Sequence, residues 1–337
     1  MKDNFNKTID VMVNNYLALE KAFPWEPNLS RHFVALIFAQ KENKIVEVDQ
    51  IKKIVDTIKK ETGWFSIYRG TFKFMLAALL VQQYSNPTEQ FTNMLKNHDY
   101  LKSVGFKSNS YLPIANYALL ITSGIDSNQV EVQDRARKAY DIYINMKKNH
   151  PWLTSGDDYP LAVLLAEFNN PIERIELYYK SLNERGKFYK GGSLQLLSHI
   201  LSFSDEPVLD VVERCIQLQI TMKNNKLNIQ PSFYSALGII SLLKEDTGEL
   251  VRDFIDVALY LNKLKKYKWL GKGMNILLAS ALVSSEWIQD AQLKNTKDQL
   301  LHTAMSVSIE TIIAAQTAAT IAAISASTAA ATSASSS

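Results

Sequence analysis

One short stretch gathers most of the side chains able to do chemistry: His150-Pro151-Trp152-Leu153-Thr154-Ser155-Gly156-Asp157-Asp158-Tyr159. Two adjacent carboxylates with an imidazole seven residues upstream are the parts of a general acid/base pair or a partial metal shell. In that reading Asp157 or Asp158 is the base or ligand and His150 assists it. The same residues also suit a plainer task. Ser155 and Asp158 stand at capping-box spacing, and acidic residues in a first turn favour the helix dipole. His150, at a helix end before Pro151, can serve the last carbonyls. Around this core the candidates for ligand binding are Tyr111, Tyr159, Lys190, Gln195 and His199. His199 lies in the apolar run Leu194–Leu201, where a histidine faces either a cavity or a neighbouring carbonyl.

Other chemistries find little support. The five histidines (His32, His98, His150, His199, His302) are far apart and no cysteine pair exists, so no metal is expected. Tyr189-Lys190-Gly191-Gly192-Ser193 resembles a small anion nest before a helix but lacks the Gly-Lys-Ser/Thr end of a phosphate loop. Neither a nucleophile elbow nor a dinucleotide fingerprint is present, and no cofactor is implied. The single cysteine, Cys215, falls on an apolar helical stripe, which predicts a packing thiol and no disulfide. The lysine-rich run Lys263–Lys272, interleaved with Tyr267 and Trp269, reads first as a solvated loop face.

The elements that must position these residues recur with a period of about 40 residues. Each unit has a short apolar helix, a polar break, a longer amphipathic helix and an aromatic-polar junction. The junctions are Gly63-Trp64-Phe65-Ser66, Gly105-Phe106-Lys107-Ser108, Trp152-Leu153-Thr154-Ser155, Lys187-Phe188-Tyr189-Lys190, Ile229-Gln230-Pro231-Ser232 and Tyr267-Lys268-Trp269-Leu270. The longer helices carry one stripe, as in Val208, Val211, Val212, Cys215, Leu218 and Met222, or Ile172, Ile175, Tyr179 and Leu182. Asn86-Pro87-Thr88-Glu89 and Asn170-Pro171-Ile172-Glu173 share one helix-start logic of cap, proline and glutamate. The shorter helices, such as Phe72–Val81 and Leu112–Ile121, are apolar most of the way round and so predict burial on most sides.

The fold class is therefore all-α: an array of about six to seven helical hairpins, either an α/α toroid or a short α-solenoid. Residues 1–30 form an N-terminal helix and linker, 31–285 the hairpin repeats, 286–324 C-terminal capping helices and 325–337 an Ala/Ser-rich tail without packing residues. In either shape the junctions precede the apolar helices and emerge at one end, where their residues form a shared mouth.

The chain has 337 residues, 47% of them hydrophobic and 21% charged, with a net charge of +3. That near balance gives no case for nucleic-acid binding driven by bulk charge. The N-terminus lacks a secretion signal, and the weakly apolar tail predicts no stable membrane insertion. A cytoplasmic location is expected.

The stretch His150–Ala162, with Gly105–Leu112 and Leu194–Leu201, resembles a bacterial family catalogued as domain of unknown function 4003. The resemblance spans nearly the whole chain and implies a bacterial cytosolic protein, with no activity, substrate or site attached. Two functions remain open at this point. One is a non-enzymatic scaffold for a partner protein or peptide. The other is an α/α-toroid enzyme or small-ligand binder with a polar site at the junction mouth.

Overall fold

The computed structural model describes residues 3–294 except 42, 125–127, 169, 187 and 244–246, together with 312–314 and 320. The tail 325–337, most of 295–324, His302 and Lys187 therefore lie outside the described residues. The protein is all-helical, 77% helix, with no strand among the described residues.

Among the described residues between Asp3 and Lys294, seven helices with one apolar face alternate with seven that are buried over most of their described length. The first kind comprises α1 (Asp3–Ala22), α3 (Val48–Glu61), α5 (Pro87–Val104), α7 (Gln129–Asn149), α9 (Pro171–Gly186), α11 (Val208–Asn224) and α13 (Thr247–Lys263). The second comprises α2 (Asn28–Gln40), α4 (Lys73–Gln83), α6 (Leu112–Ser123), α8 (Tyr159–Leu165), α10 (Gly192–Leu201), α12 (Tyr234–Ser241) and α14 (Lys272–Lys294). The stripe on α11 lands as the periodicity requires, with Val211, Val212, Cys215, Leu218 and Met222 buried. On α9 Ile175 and Leu182 of the stripe are buried, but the buried tyrosine is Tyr178, while Tyr179 and Ile172 are half-buried. α14 runs unbroken to Lys294, so residues 286–294 continue this helix.

The even-numbered helices supply the core. Every residue from Phe74 to Gln82 in α4 and from Leu112 to Leu120 in α6 is buried. Each fully buried large aliphatic side chain contributes about 1.5–3 kcal/mol. Polar residues survive there because partners are close: Asn116 Nδ2 donates to the Tyr68 hydroxyl (2.5 Å) and the Met94 carbonyl (2.6 Å). Ser198, Ser280 and Ser284 return their hydroxyls to carbonyls of their own helices.

Even-numbered helices pack side by side: α2 on α4, α4 on α6, α6 on α8, α10 on α12, and α12 on α14. α14 also packs on α2 and α1. There Gln40 Nε2 donates to the Ala281 carbonyl (2.6 Å), and Gln289 Nε2 donates to the carbonyl of Gln40 (2.6 Å).

Helix starts follow local chemistry. The Asn86 side chain accepts from the Glu89 N–H, and Asn128 with Glu131 forms a complete capping box. Asn170 departs from the extended geometry usual in a cap, with φ of 49°.

Each odd-numbered helix leads into its even-numbered neighbour through a junction, and residues in or beside successive junctions come close. Trp25, Lys59 and Lys73 line one cleft. Phe72 meets Tyr111 with ring centroids 5.8 Å apart, and the Tyr159 hydroxyl accepts from the Lys107 N–H (3.3 Å). Gln195 Nε2 donates to Thr154 Oγ1 (2.7 Å), and Phe188 meets Tyr234 edge-on at 4.9 Å. The Phe233 ring occupies the space a Cβ would take at Gly273, and Lys266 Nζ donates to Glu20 (2.8 Å).

Candidate functional site

The 3-10 turn Gly156–Asp158 ahead of α8 sets the two carboxylates apart. Asp157 is exposed and accepts the Ser155 hydroxyl. Asp158 is buried, and its Oδ2 accepts the Ser155 N–H at 2.9 Å, the turn-closing role expected from the spacing. Its other oxygen, Oδ1, lies 3.5 Å from His199 Nδ1 on α10.

Burial controls both partners. Lack of water, reinforced by the charge of Asp157, lifts the Asp158 carboxyl from 3.8 to about 7, against the pull of the Ser155 N–H. Complete burial, with a smaller push from His150, lowers the His199 imidazole from 6.5 to about 3. Burial thus works against the charged form of each group. His199 Nε2 and Gln195 Oε1 have no hydrogen-bond partner among the described residues.

The remaining sequence candidates distribute around this pair. Tyr159 packs edge-on against Tyr143 (4.7 Å) and Phe106 (4.8 Å). Tyr111 is half-buried, and burial followed by the Asp157 charge raises its phenol. His150 turns away from the carboxylates: its Nε2 lies 3.1 Å from Glu176 Oε1, and its ring leans on Tyr179 at 4.7 Å. Lys190 is exposed. The Gly191 N–H, needed for an anion nest, is already donated to the Tyr179 hydroxyl (3.1 Å). The fold therefore brings together Asp158 with His199 and Gln195 with Thr154, places Tyr159 among Phe106 and Tyr143, and separates Asp157, His150 and Lys190 from them.

A second buried polar group has no counterpart in the sequence reading. His32 is stacked on Tyr16 (4.0 Å) and meets Tyr267 edge-on (4.6 Å), with neither imidazole nitrogen hydrogen-bonded among the described residues. Burial first, then the Arg31 charge, lowers His32 to about 3. The Tyr16 hydroxyl reaches Glu20 (2.9 Å) and Asn28 (2.8 Å), and burial pushes its phenol up to about 12. These residues come from opposite ends of the chain, so no local spacing could announce them. Among the described residues no group of three or more His, Cys, Asp or Glu could hold a metal ion, and no helix is long and apolar enough to cross a membrane.

A family described as "Protein of unknown function (DUF4003)" matches residues 15–318, and the chain belongs to that family. The chain is similar to the "Uncharacterized protein YeaA" of Bacillus subtilis (strain 168), 27% identical over 312 residues. That similarity covers 91% of this chain and 90% of the relative. No solved structure matches.

Proposed function

We propose that this chain is a non-enzymatic cytosolic scaffold, a closed ring of seven helical hairpins that holds a partner protein or peptide against its outer wall. The ring reading is supported by the packing of α14 on α1 and α2, and by junction contacts that lead from Glu20 round to Lys266. One observation carries the binding role: a cleft of about 640 Å³ between α11 and α13. Its floor is Ile240 and Ser241 of α12, its walls include Leu218 and Val251, and Asp210 and Glu213 stand at its edge. Arg214 does not offset those acids, because its guanidinium is bound to Glu206 (2.6 Å) and the Ser241 carbonyl (2.8 Å). Such a cleft accepts the apolar stripe of an amphipathic helix with a basic edge.

A photoreactive phenylalanine analogue at Gln217 tests this in cells. The expected result is an adduct with one partner that disappears when Val251→Glu places a charge in the cleft. Absence of an adduct, or one indifferent to Val251→Glu, would refute the reading.

A second reading has its own support in the unpartnered His199 Nε2 and Gln195 Oε1. It is a small-ligand or catalytic site in which Asp158, His199 and Gln195 form the floor, with Tyr111, Tyr159, Asp157, His150 and Lys190 toward the mouth. A metabolite that raises the Tm of the wild type but not of Gln195→Leu supports it. A panel yielding no Gln195-dependent shift counts against it.

A further inference from the structure

The large aromatic side chains left in water are not scattered. Among the described residues they are Trp25, Trp64, Phe65, Trp152, Tyr189 and Trp269, with Trp25, Phe65 and Trp152 97%, 96% and 95% exposed. All six sit in junctions that lead from an odd-numbered helix into an even-numbered one. Residues in or beside successive junctions come close, so the six rings, drawn from five of the seven junctions, decorate one rim. At the other end of the helices the exposed apolar residues are aliphatic, such as Ile45, Val130 and Leu209.

Charge is divided along the same axis. Every odd-numbered helix carries a basic residue in its last turn, at the aromatic rim: examples are Lys21, Lys102 and Lys223, with pairs at Lys59-Lys60 and Lys147-Lys148. From α3 onward each also carries an acid in its first turn, at the opposite end: Asp49, Glu89, Glu131, Glu173, Asp210 and Glu249. The junctions add exposed Lys107, Lys190, Lys226, Lys265 and Lys268. The near-neutral total thus conceals a rim rich in lysine, where Glu61, Asp157 and Glu184 are also exposed, and first turns rich in acid at the other end.

Complementing the helix dipoles explains why lysines gather at helix ends. It does not explain why tryptophans stand in water beside them, since large exposed apolar groups collected on one face mark an interaction surface. Tryptophan and lysine together are the composition of a membrane–water interface, where the ring enters the headgroup layer and the cation stays at phosphate level. Two rings already carry their cation: Arg69 lies 5.7 Å from the Trp64 ring centroid, and Lys268 lies 5.0 Å from that of Trp269. A planar surface meets every junction of a rim at once, whereas a peptide or glycan would meet one or two.

We infer that the junction rim docks on the surface of an anionic lipid bilayer, with the aromatic rings in the headgroup layer and no segment crossing it. This surface is separate from the cleft between α11 and α13 and stands whether or not a partner binds there.

Flotation of the full chain with lipid vesicles tests it. The wild type is expected to float with vesicles of phosphatidylglycerol and phosphatidylcholine, to stay behind with pure phosphatidylcholine, and to be released by added salt. The double variant Trp152→Ser, Trp269→Ser is expected to bind about tenfold more weakly because binding scales with inserted apolar area. Its Tm should match the wild type, and Val130→Ser, at the opposite end, should float normally. Failure to float with anionic vesicles, equal binding to neutral ones, or a double variant that floats like the wild type would each overturn the inference.

Discussion

Asp158→Asn converts the buried acid into a measurable quantity. The native state lifts this carboxyl from 3.8 to about 7. At about 1.4 kcal/mol per unit, the rise corresponds to roughly 4 kcal/mol. The folded protein holds this proton more tightly than the unfolded chain, so stability falls as pH climbs from about 4 to about 7 and is level beyond. His199 acts in the opposite sense. Its pKa is depressed from 6.5 to about 3, so stability is lost as pH falls through that window. In the wild type the two trends nearly cancel. Asparagine keeps an oxygen for the Ser155 N–H and removes the first trend alone. Asp158→Asn should therefore be more stable than wild type by about 4 kcal/mol near pH 8 and by less than about 1 kcal/mol near pH 4. With an unfolding entropy of about 0.7 kcal/mol/K for 337 residues, the gain near pH 8 is a Tm increase of about 6 °C. Thermal and urea unfolding across that range reads it directly. An Asp158→Asn protein less stable than wild type near pH 8 would refute the reasoning, because it is the mark of an ionised Asp158–His199 pair, whose disruption costs about 3–5 kcal/mol.

Other substitutions isolate single contacts. Asn116→Leu strips the donor from the Met94 carbonyl and the Tyr68 hydroxyl and should cost about 2 kcal/mol in urea unfolding; an unchanged midpoint would contradict the bonding described. Gly156→Ala would drive a Cβ into the Asn109 amide, whose Oδ1 accepts the Tyr111 and Leu112 N–H groups at the start of α6. A loss of about 1–3 kcal/mol is expected, and in an Asn109→Ala background the Gly156→Ala substitution should lose most of its effect. The Cys215 thiol is fully buried and burial pushes it up to about 12, so the native protein should resist a disulfide reagent and react only as it unfolds. Rapid labelling in the absence of denaturant would place Cys215 elsewhere.

What could be read from the residues was whatever depends on neighbours in sequence. The stripe through Val211, Cys215 and Leu218 reports one buried face because helical geometry alone brings those positions into line. The runs in α4 and α6 likewise announce burial on all sides. The capping role of Asp158 was visible in its spacing from Ser155. Its approach to His199 was not, since 41 positions separate them and only the packing of α8 near α10 decides which carboxylate turns inward. The same limit applies to Tyr16, His32 and Tyr267, which meet through the contact of α14 with the start of the chain. The junction aromatics were visible as a motif, but their exposure follows from tertiary packing: Phe106 and Phe188 occupy equivalent junctions and are buried.

The seam between α14 and the first two helices has a consequence for synthesis. Phe5, Ile9, Met12 and Tyr16 of α1 are buried, α1 packs on α14, and α14 is the last long helix among the described residues. Until α14 is made, a nascent chain ending near residue 270 carries two apolar flanks, one at each extremity, that fit each other's missing neighbour. When α14 emerges from two such chains held close on one messenger, each α14 can dock on the other chain's first helices instead of its own. Slow translation across the last helix would thus favour entangled dimers, and a stop codon just before Lys272 should yield a product that depends on chaperones or is degraded.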